Sequence, residues 1–181
     1  MLSNCFHTWI ASSHSTHLQK NSKIILDAKS GISGAGKSSV ENGLEEDIKE
    51  NFKSYNVGFH RHQPEIKDFL KTEFNLDHEI IFIPHLLPLF RGEYVTLYCE
   101  VSQNDLDLNE LYESYYEKHK LVRVKEKGEI AEIKEVINTF YCDISVSYAF
   151  QSNTIVVNSA IDNLLKGAAS QAIQCLDIMS S

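Results

Sequence analysis

The segment KIILDAKSGISGAGKS, residues 23–38, decides how the rest of the chain is interpreted. Its apolar start, residues 23–28, predicts a short buried strand, and a glycine-rich loop follows directly. Taken alone, residues 31–38 satisfy the pattern G-x-x-x-x-G-K-[ST], in which backbone amides and a lysine hold nucleotide phosphates. That function also needs a magnesium-binding aspartate at the end of an apolar strand. The candidate, Asp143, follows only the short run Phe140-Tyr-Cys, so the sequence disfavours an NTPase.

Bulk composition limits the classes of protein that fit. The 181 residues are enough for one domain, or for one large piece of a two-domain enzyme, and 43% hydrophobic residues can form a core. A net charge of −8 argues against a nucleic-acid or anionic-membrane surface. We see no stretch of roughly 18 apolar residues, as a membrane span needs, and no secretory signal. We therefore expect a soluble, cytoplasmic protein without contacts to nucleic acid or membrane.

The cysteines argue against two further kinds of site. Cys5, Cys99, Cys142 and Cys175 are scattered, without the C-x-x-C spacing of a zinc site or the density of a disulfide framework. We therefore predict no metal, and thiols in a reducing compartment.

The pattern of apolar residues predicts an α+β domain with a mixed β-sheet, because strands outnumber helices and no regular βαβ order appears. Further strands are predicted at residues 79–84, 92–101, 121–125, 140–148 and 153–160. Helices are predicted at residues 38–53, 64–74, 107–119 and 164–179. The first of these helices has only a narrow apolar stripe, formed by Val40, Leu44, Ile48 and Phe52.

Three later segments contain residue types suited to chemistry. In HRHQPE, residues 60–65, a histidine supplies an acid or base near neutral pH, although two histidines at this spacing are also common as a surface pair. In PHLLPLFRG, residues 84–92, Arg91 has the geometry to hold a carboxylate or phosphate, or is simply solvated. In DNLLKGAASQAIQ, residues 162–174, small residues begin a helix, which usually indicates close packing.

Together with DAKSGISGAG, residues 27–36, these segments resemble the signature segments of N-acetyl-gamma-glutamyl-phosphate reductase, an enzyme of arginine biosynthesis. The resemblance covers nearly the whole chain after residue 22. It implies that the P-loop match is a coincidence, with Lys37 where the family usually has arginine. It also implies a mixed-sheet catalytic and dimerisation domain of the semialdehyde dehydrogenase type. Residues 1–37 would be a remnant around the catalytic cysteine and loop, residues 38–160 the catalytic and dimerisation domain, and residues 161–181 a helix that packs on the cofactor domain.

The resemblance implies chemistry through a cysteine thiolate, which attacks an acyl phosphate and expels phosphate. The resulting thioester takes a hydride from NADPH and releases an aldehyde. Cys5 lies in SNCFHT, residues 3–8, which matches the second half of the family's motif. The Pro-Gly that usually precedes the cysteine is replaced by Ser3 and Asn4.

Residue by residue, the resemblance implies three groups in the site, with the backbone amides of the glycine-rich loop binding anionic oxygens. The catalytic residues are Cys5 and His60, and the choice between His60 and His62 as acid or base is open. The substrate-binding residues are Lys29, Ser30, Gly31, His62, Glu65, His85 and Arg91. The NADP-binding residues are Ser33, Gly34, Ala35, Gly36, Asn163, Lys166 and Gly167.

The family's N-terminal dinucleotide fingerprint is missing from the sequence. We therefore expect weak NADP binding and an exposed apolar face on the last helix, in a chain that forms homo-oligomers. Two alternatives stay open, a non-catalytic oligomerising fragment and, less favoured, a P-loop NTPase. Aspartate-semialdehyde dehydrogenase shares the reaction logic but lacks the HRHxPE segment.

Overall fold

The computed structural model of the protein describes residues 18, 19, 22–36, 38, 41, 43–102 and 104–180. Their strands are β1 Lys23–Ser30, β2 Lys53–Ser54, β3 Glu79–Leu86, β4 Glu93–Glu100, β5 Val122–Val124, β6 Cys142–Tyr148 and β7 Thr154–Ile161. Their helices are α1 Leu44–Ile48, α2 His62–Phe74, α3 Leu108–Tyr116, α4 Ile133–Val136 and α5 Ser170–Ser180. A 3₁₀ turn, Ile32–Ala35, follows β1, and a π-helical turn, Leu165–Ala169, precedes α5.

The seven described strands form one sheet in the order β2-β3-β1-β4-β7-β6-β5. The pairs β1–β3 and β5–β6 are parallel, and the other neighbours are antiparallel. The predicted α+β fold with a mixed sheet is therefore confirmed.

Helices α2 and α3 pack on one face of the sheet, here called the covered face. Leu26 is in register with Phe82 on β3 and Leu97 on β4, and all three are at most 4% exposed. Leu70 of α2 and Tyr112 of α3 pack into the same cluster. Full burial of one such side chain stabilises the fold by roughly 1.5–3 kcal/mol. The core therefore fixes the sheet against these two helices.

The opposite face, here called the open face, is only half buried over β3, β1 and β4. Because strand side chains alternate, Ile25, Ile83 and Tyr98 point to this side, and each is of intermediate exposure. Among the described helices, α4 packs on this side of the sheet, where Val136 contacts Ala160 of β7. The centre of the open face thus presents apolar and aromatic side chains.

The predicted helix at residues 38–53 is wrong beyond Ile48. The backbone leaves the helix at Lys49, where ψ is 126°, and Glu50 has a φ of 59°. The apolar stripe is too narrow to hold a longer helix, since Ile48 is the buried residue of α1. Phe52 instead stacks on His85, and β2 adds an edge strand beside β3. Residues 37, 39, 40 and 42 lie outside the described residues.

The other predicted elements are confirmed within a few residues. Helix α2 begins two residues before Pro64, and β1 and β3 each continue two residues beyond their predicted ends. Asp107 caps α3 by accepting a hydrogen bond from the Glu110 amide at 3.2 Å. No described helix is long and apolar enough to cross a bilayer.

Candidate active site

A cavity of about 740 Å³ lies at the carboxyl ends of the parallel strands β1 and β3. These strand ends bring Ser30 and Leu86 to the cavity floor, and the 3₁₀ turn adds Gly34 and Ala35. The segment between β2 and α2 forms the remaining wall with His60. The cavity lining comprises Ser30, Gly34, Ala35, Leu44, Asp47, Lys53, Tyr55, Asn56, Phe59, His60, Arg61 and Leu86.

Lys29 and His85, predicted to bind substrate beside Ser30, lie on the open face instead. Lys29 Nζ is 2.6 Å from Asp27 Oδ2, and His85 Nδ1 is 3.0 Å from Asp27 Oδ1. The ring of Phe52 stacks on His85 with centroids 4.9 Å apart. The sheet therefore separates this charged cluster from the cavity, because adjacent strand residues point to opposite faces.

Backbone amides of the glycine-rich loop, which were expected to bind anionic oxygens, form hydrogen bonds within the protein at residues 31–34. Four amides donate to carbonyl oxygens: Gly31 to Gly92 (2.8 Å), Ile32 to Leu89 (2.8 Å), Ser33 to Phe90 (3.0 Å) and Gly34 to Gly31 (3.0 Å). A phosphate cradle needs such amides free. The amides of residues 31–34 are therefore not free to cradle a phosphate as those of a P-loop do.

Gly31 is required by the close approach of another chain segment. A Cβ at this position would lie 2.8 Å from the Phe90 carbonyl oxygen and 2.9 Å from that of Leu89. Its φ of −68° is ordinary, so the constraint is steric rather than conformational. Gly31 thus joins β1 to the segment before β4 and lies behind the cavity wall.

His60 lines the cavity with its protonation state restricted by a neighbour. Its Nδ1 accepts a hydrogen bond from the backbone amide of His62 at 3.3 Å, so the neutral ring has its proton on Nε2. Burial, followed by the positive charge of Arg61, lowers the pKa of His60. At neutral pH the ring is therefore uncharged and can donate a hydrogen bond from Nε2.

His62 lies behind His60, and it does not line this cavity. The two rings meet edge to face with centroids 4.6 Å apart, and His62 also contacts Phe82 of the core. Burial lowers the pKa of His62, and its Nδ1 has no hydrogen-bond partner among the described residues. Glu65 is exposed in the first turn of α2. His60 thus has the better position for contact with a ligand.

Several cavity residues were missed by sequence reasoning because they belong to the region predicted as helix or to the segment after it. Lys53 is on β2, and the ring of Tyr55, which follows this strand, meets that of His60 edge to face with centroids 5.6 Å apart. Arg61 immediately precedes α2. Arg61 could have been proposed from the sequence, since it directly follows His60. Lys53 and Tyr55 could not, because only the pairing of β2 with β3 brings them to the cavity.

Glu93 is a second group that the motifs did not indicate. It is in register with Ser30 across β1 and β4, it is 6% exposed, and Oε2 has no hydrogen-bond partner among the described residues. Burial raises the pKa of Glu93 to about 7. Burial, and then the negative charge of Glu93, raises the pKa of Tyr55. A carboxyl group that titrates near neutrality therefore lies beside the cavity.

The residues predicted to contact NADP from the last helix are largely buried. Asn163 is 0% and Lys166 5% exposed, and Lys166 Nζ donates to Gln174 Oε1 at 2.7 Å. The Gly167 amide donates to the Asp162 carbonyl oxygen at 2.9 Å. Arg91 donates from Nη1 to Asp162 Oδ2 at 3.3 Å and does not line the cavity. These side chains are committed to internal contacts.

The predicted nucleophile, Cys5, lies outside the described residues. Burial raises the pKa of the Cys99 thiol far above its usual range, Cys142 is also buried, and Cys175 is exposed on α5. None of these three thiols lines the cavity. Within the described ranges, no group of three or more His, Cys, Asp or Glu side chains could hold a metal ion.

Residues 5–163 match the family model described as "Semialdehyde dehydrogenase, dimerisation domain". The chain belongs to this family. The architecture also matches solved structures, which show the fold. Aspartate semialdehyde dehydrogenase II from Vibrio cholerae aligns over 96% of this chain and 58% of its own, with a TM-score of 0.72 and 14% identity. Aspartate semialdehyde dehydrogenase from Francisella tularensis aligns over 96% and 61%, with a TM-score of 0.70 and 13% identity.

Sequence relatives confirm the resemblance identified from the four segments. N-acetyl-gamma-glutamyl-phosphate reductase of Thermoanaerobacter sp. (strain X514) is 41% identical over 160 residues, which are 87% of this chain and 46% of the relative. The reductase of Alkaliphilus metalliredigens is 39% identical over an alignment of 183 positions, which covers 97% of this chain and 52% of the relative. The chain thus spans about half the length of these relatives.

The described residues do not fit a complete site for NADP. A dinucleotide site needs parallel strands whose glycine-rich turn presents free amides to the pyrophosphate. Here β1 lies between a parallel and an antiparallel neighbour, and the loop amides are bonded to carbonyl oxygens. Asn163, Lys166 and Gly167 are buried.

Proposed function

We propose that the chain is the catalytic and dimerisation portion of an N-acetyl-gamma-glutamyl-phosphate reductase, which uses NADP in arginine biosynthesis in the cytoplasm. The observation that supports this most is the match of relatives with that name over 87–97% of the chain, together with a cavity lined by His60. The reaction converts an acyl phosphate to an aldehyde and releases phosphate. Binding of the cofactor is assigned to the half of the relatives that this chain does not span.

The charge of the cavity suits a substrate with a carboxylate and a phosphate. Among the described residues that line the cavity, Lys53 and Arg61 supply two positive charges against one negative charge from Asp47, which leaves one net positive charge when His60 is neutral. The cavity also lies at the N-terminus of the 13-residue helix α2, whose dipole favours anions. We therefore assign anion binding to Lys53 and Arg61, in addition to Ser30.

The role proposed for His60 follows from its hydrogen bond to the His62 amide. Because that amide occupies Nδ1, the proton on Nε2 is available to an oxygen of the substrate. A neutral donor stabilises a carbonyl oxygen on which negative charge develops during attack by a nucleophile. Cys5 remains the predicted nucleophile from its sequence motif, and His60 is the candidate donor to the reacting carbonyl.

The open face is the proposed contact with a second copy of the chain. Its centre presents Ile83, Tyr98 and Val156, which are half buried in the single chain. A two-fold dimer would bury this face against itself, as two packed sheets do. The family's description as a dimerisation domain supports this arrangement.

Helix α5 is the proposed contact with the cofactor-binding part of the enzyme. No residue of α5 is buried, and Ile173 and Leu176 are 61% and 62% exposed. Exposed apolar side chains on one helix indicate a surface that another domain covers.

The test is phosphate-dependent oxidation of N-acetylglutamate semialdehyde with NADP, run on the wild-type protein and on Cys5→Ser. Turnover that the substitution abolishes would support the reductase and the role of Cys5. Cys99→Ser is the matched control, because that thiol is buried away from the cavity, and it should keep turnover. Release of phosphate from the acyl phosphate by the thiol needs no NADP, so it is measured alongside turnover. A folded wild-type protein that shows neither turnover nor this release of phosphate would favour the non-catalytic oligomeric alternative.

A further inference from the structure

We infer that Asn163 is a positioning residue, which holds the glycine-rich wall of the cavity in place through the two ends of one buried side-chain amide. Its Oδ1 accepts a hydrogen bond from the backbone amide of Gly92 at 2.8 Å. Its Nδ2 donates to Ser33 Oγ at 2.9 Å. Since Asn163 is 0% exposed, both groups depend on these partners.

A side-chain amide of this size makes both contacts at once without placing a charge in the core. The Gly92 amide must donate, so the atom facing it must be the oxygen, which leaves the nitrogen for Ser33. An aliphatic side chain would make neither bond and would leave the Gly92 amide buried without this acceptor. An aspartate would introduce a second buried charge beside Asp162, which is also 0% exposed.

The contacts of Asn163 continue directly to the cavity wall. Ser33 is half buried in the 3₁₀ turn, and the next two residues, Gly34 and Ala35, are exposed and line the cavity. The Gly92 carbonyl oxygen accepts from the Gly31 amide at 2.8 Å, at the start of the same turn. Asn163 therefore contacts the turn directly at Ser33 and is linked through Gly92 to Gly31, where the turn begins.

The preceding residue, Asp162, fixes the backbone next to Asn163. Its carboxylate accepts from the backbone amides of Asn138 (2.9 Å), Leu164 (2.9 Å) and Leu165 (3.0 Å), and from Arg91 Nη1 (3.3 Å). Desolvation raises the pKa of Asp162, but these hydrogen bonds outweigh it, so the pKa lies below its usual value. The end of β7 is thereby held to the segments before and after it, and Asn163 has little freedom to move.

This inference rests on the proposed function, because it assigns the wall to a site that binds the acyl phosphate and releases phosphate. Inorganic phosphate is therefore the probe, and the amide NMR signals of Gly34 and Ala35 report its binding to the full chain. Ser33→Ala removes only the bond to Nδ2, and Asn163→Ala removes both bonds. Ser33→Thr is the matched control, since it keeps a hydroxyl group at the same position.

We expect phosphate affinity to fall about 5-fold in Ser33→Ala, the equivalent of one hydrogen bond, and further in Asn163→Ala. Ser33→Thr should restore most of the affinity. Amide hydrogen exchange across residues 31–36 should quicken in Ser33→Ala, while exchange in β6 stays unchanged and the melting temperature stays close to wild type.

The outcomes separate this inference from the function on which it rests. Wild-type protein that binds no phosphate would overturn the proposed site itself. Wild-type binding that Ser33→Ala leaves unchanged would overturn the positioning role, even if that variant melts at a lower temperature. Should Asn163→Ala not fold, Ser33→Ala against Ser33→Thr still decides the question.

Discussion

The covered and open faces of the sheet put neighbouring residues of one motif to different uses. On β1, Ser30 lines the cavity, whereas Lys29 lies on the open face in contact with Asp27. On β3, Leu86 belongs to the cavity and His85 to the charged cluster. The residues of a sequence motif on a strand therefore lie on both faces of the sheet, because the side-chain direction reverses at each position.

The two faces also differ in how they hold charge. Asp27 on the open face has Lys29 and His85 beside it. Glu93 on the covered face is buried, with Oε2 unpartnered among the described residues. Charged side chains on the open face are thus paired with one another. On the covered face, burial without a partner for Oε2 raises the pKa of the Glu93 carboxyl group to about 7.

The largest expected effect distinguishes His60 from His85, two of the three histidines that the motifs proposed for the site. His60→Gln should lower turnover about 100-fold or more, the usual range for loss of a positioned proton donor. His85→Gln, the same change on the opposite face, should stay within about 3-fold of wild type, because its ring does not reach the cavity. Steady-state kinetics of both variants measures this. Equal losses would show that the division into two faces does not describe the site.

The second prediction tests the raised pKa of the buried Glu93 carboxyl group. The pKa of Glu93 is raised from 4.5 to about 7 in the folded protein, so folding favours its protonated form. The free energy of unfolding should therefore fall as pH rises from about 4.5 to above 7, by about 3 kcal/mol in total.

Glu93→Gln should remove this loss, so its stability relative to wild type should increase with pH. Urea denaturation of both proteins between pH 4.5 and 8.5 measures the difference. Glu100→Gln, at the exposed end of the same strand, is the control and should add no such pH dependence. A constant difference between Glu93→Gln and wild type across this range would contradict the prediction.

A third prediction concerns the open face as an interface. Ile83→Asp should weaken self-association about 100-fold, because a two-fold contact would bury the new carboxylate twice. Sedimentation equilibrium measures the dissociation constant. Leu176→Asp places the same charge on the exposed side of α5 and should leave the dimer intact. The opposite result would assign self-association to α5 rather than to the open face.

The smallest effect tests the close approach behind the cavity wall. Gly31→Ala should destabilise the fold by about 2 kcal/mol, since its Cβ would meet two backbone carbonyl oxygens that cannot move freely. Gly34→Ala should cost less, because the nearest atom, Ser30 Oγ, belongs to a side chain that can rotate. Thermal denaturation compares the two. A Gly34→Ala variant as unstable as Gly31→Ala would show that steric contact is not the cause.

The sequence predicted elements best where one strong pattern covered the whole element. Helix α2 has Ile66 and Leu70 on one face and begins close to Pro64, so its position was predicted within two residues. The prediction failed at residues 49–53, where a weak helical pattern competed with strand pairing to β3. That pairing brings Lys53 and Tyr55 to the cavity. A strand of only two residues is too short to give a recognisable pattern in the sequence.

By itself, the sequence determined the α+β class, most helices and strands, and the family to which the chain belongs, because these follow from local periodicity and from residues close in the chain. Tertiary structure decided which motif residues share a site. The register of β1 with β3 and β4 placed Ser30 in the cavity and Lys29 behind it. Hydrogen bonds between residues up to 130 positions apart turned Asn163 inward. Such contacts form between residues far apart in the chain, and they exist only when the whole sheet is assembled. Local sequence patterns therefore do not reveal them.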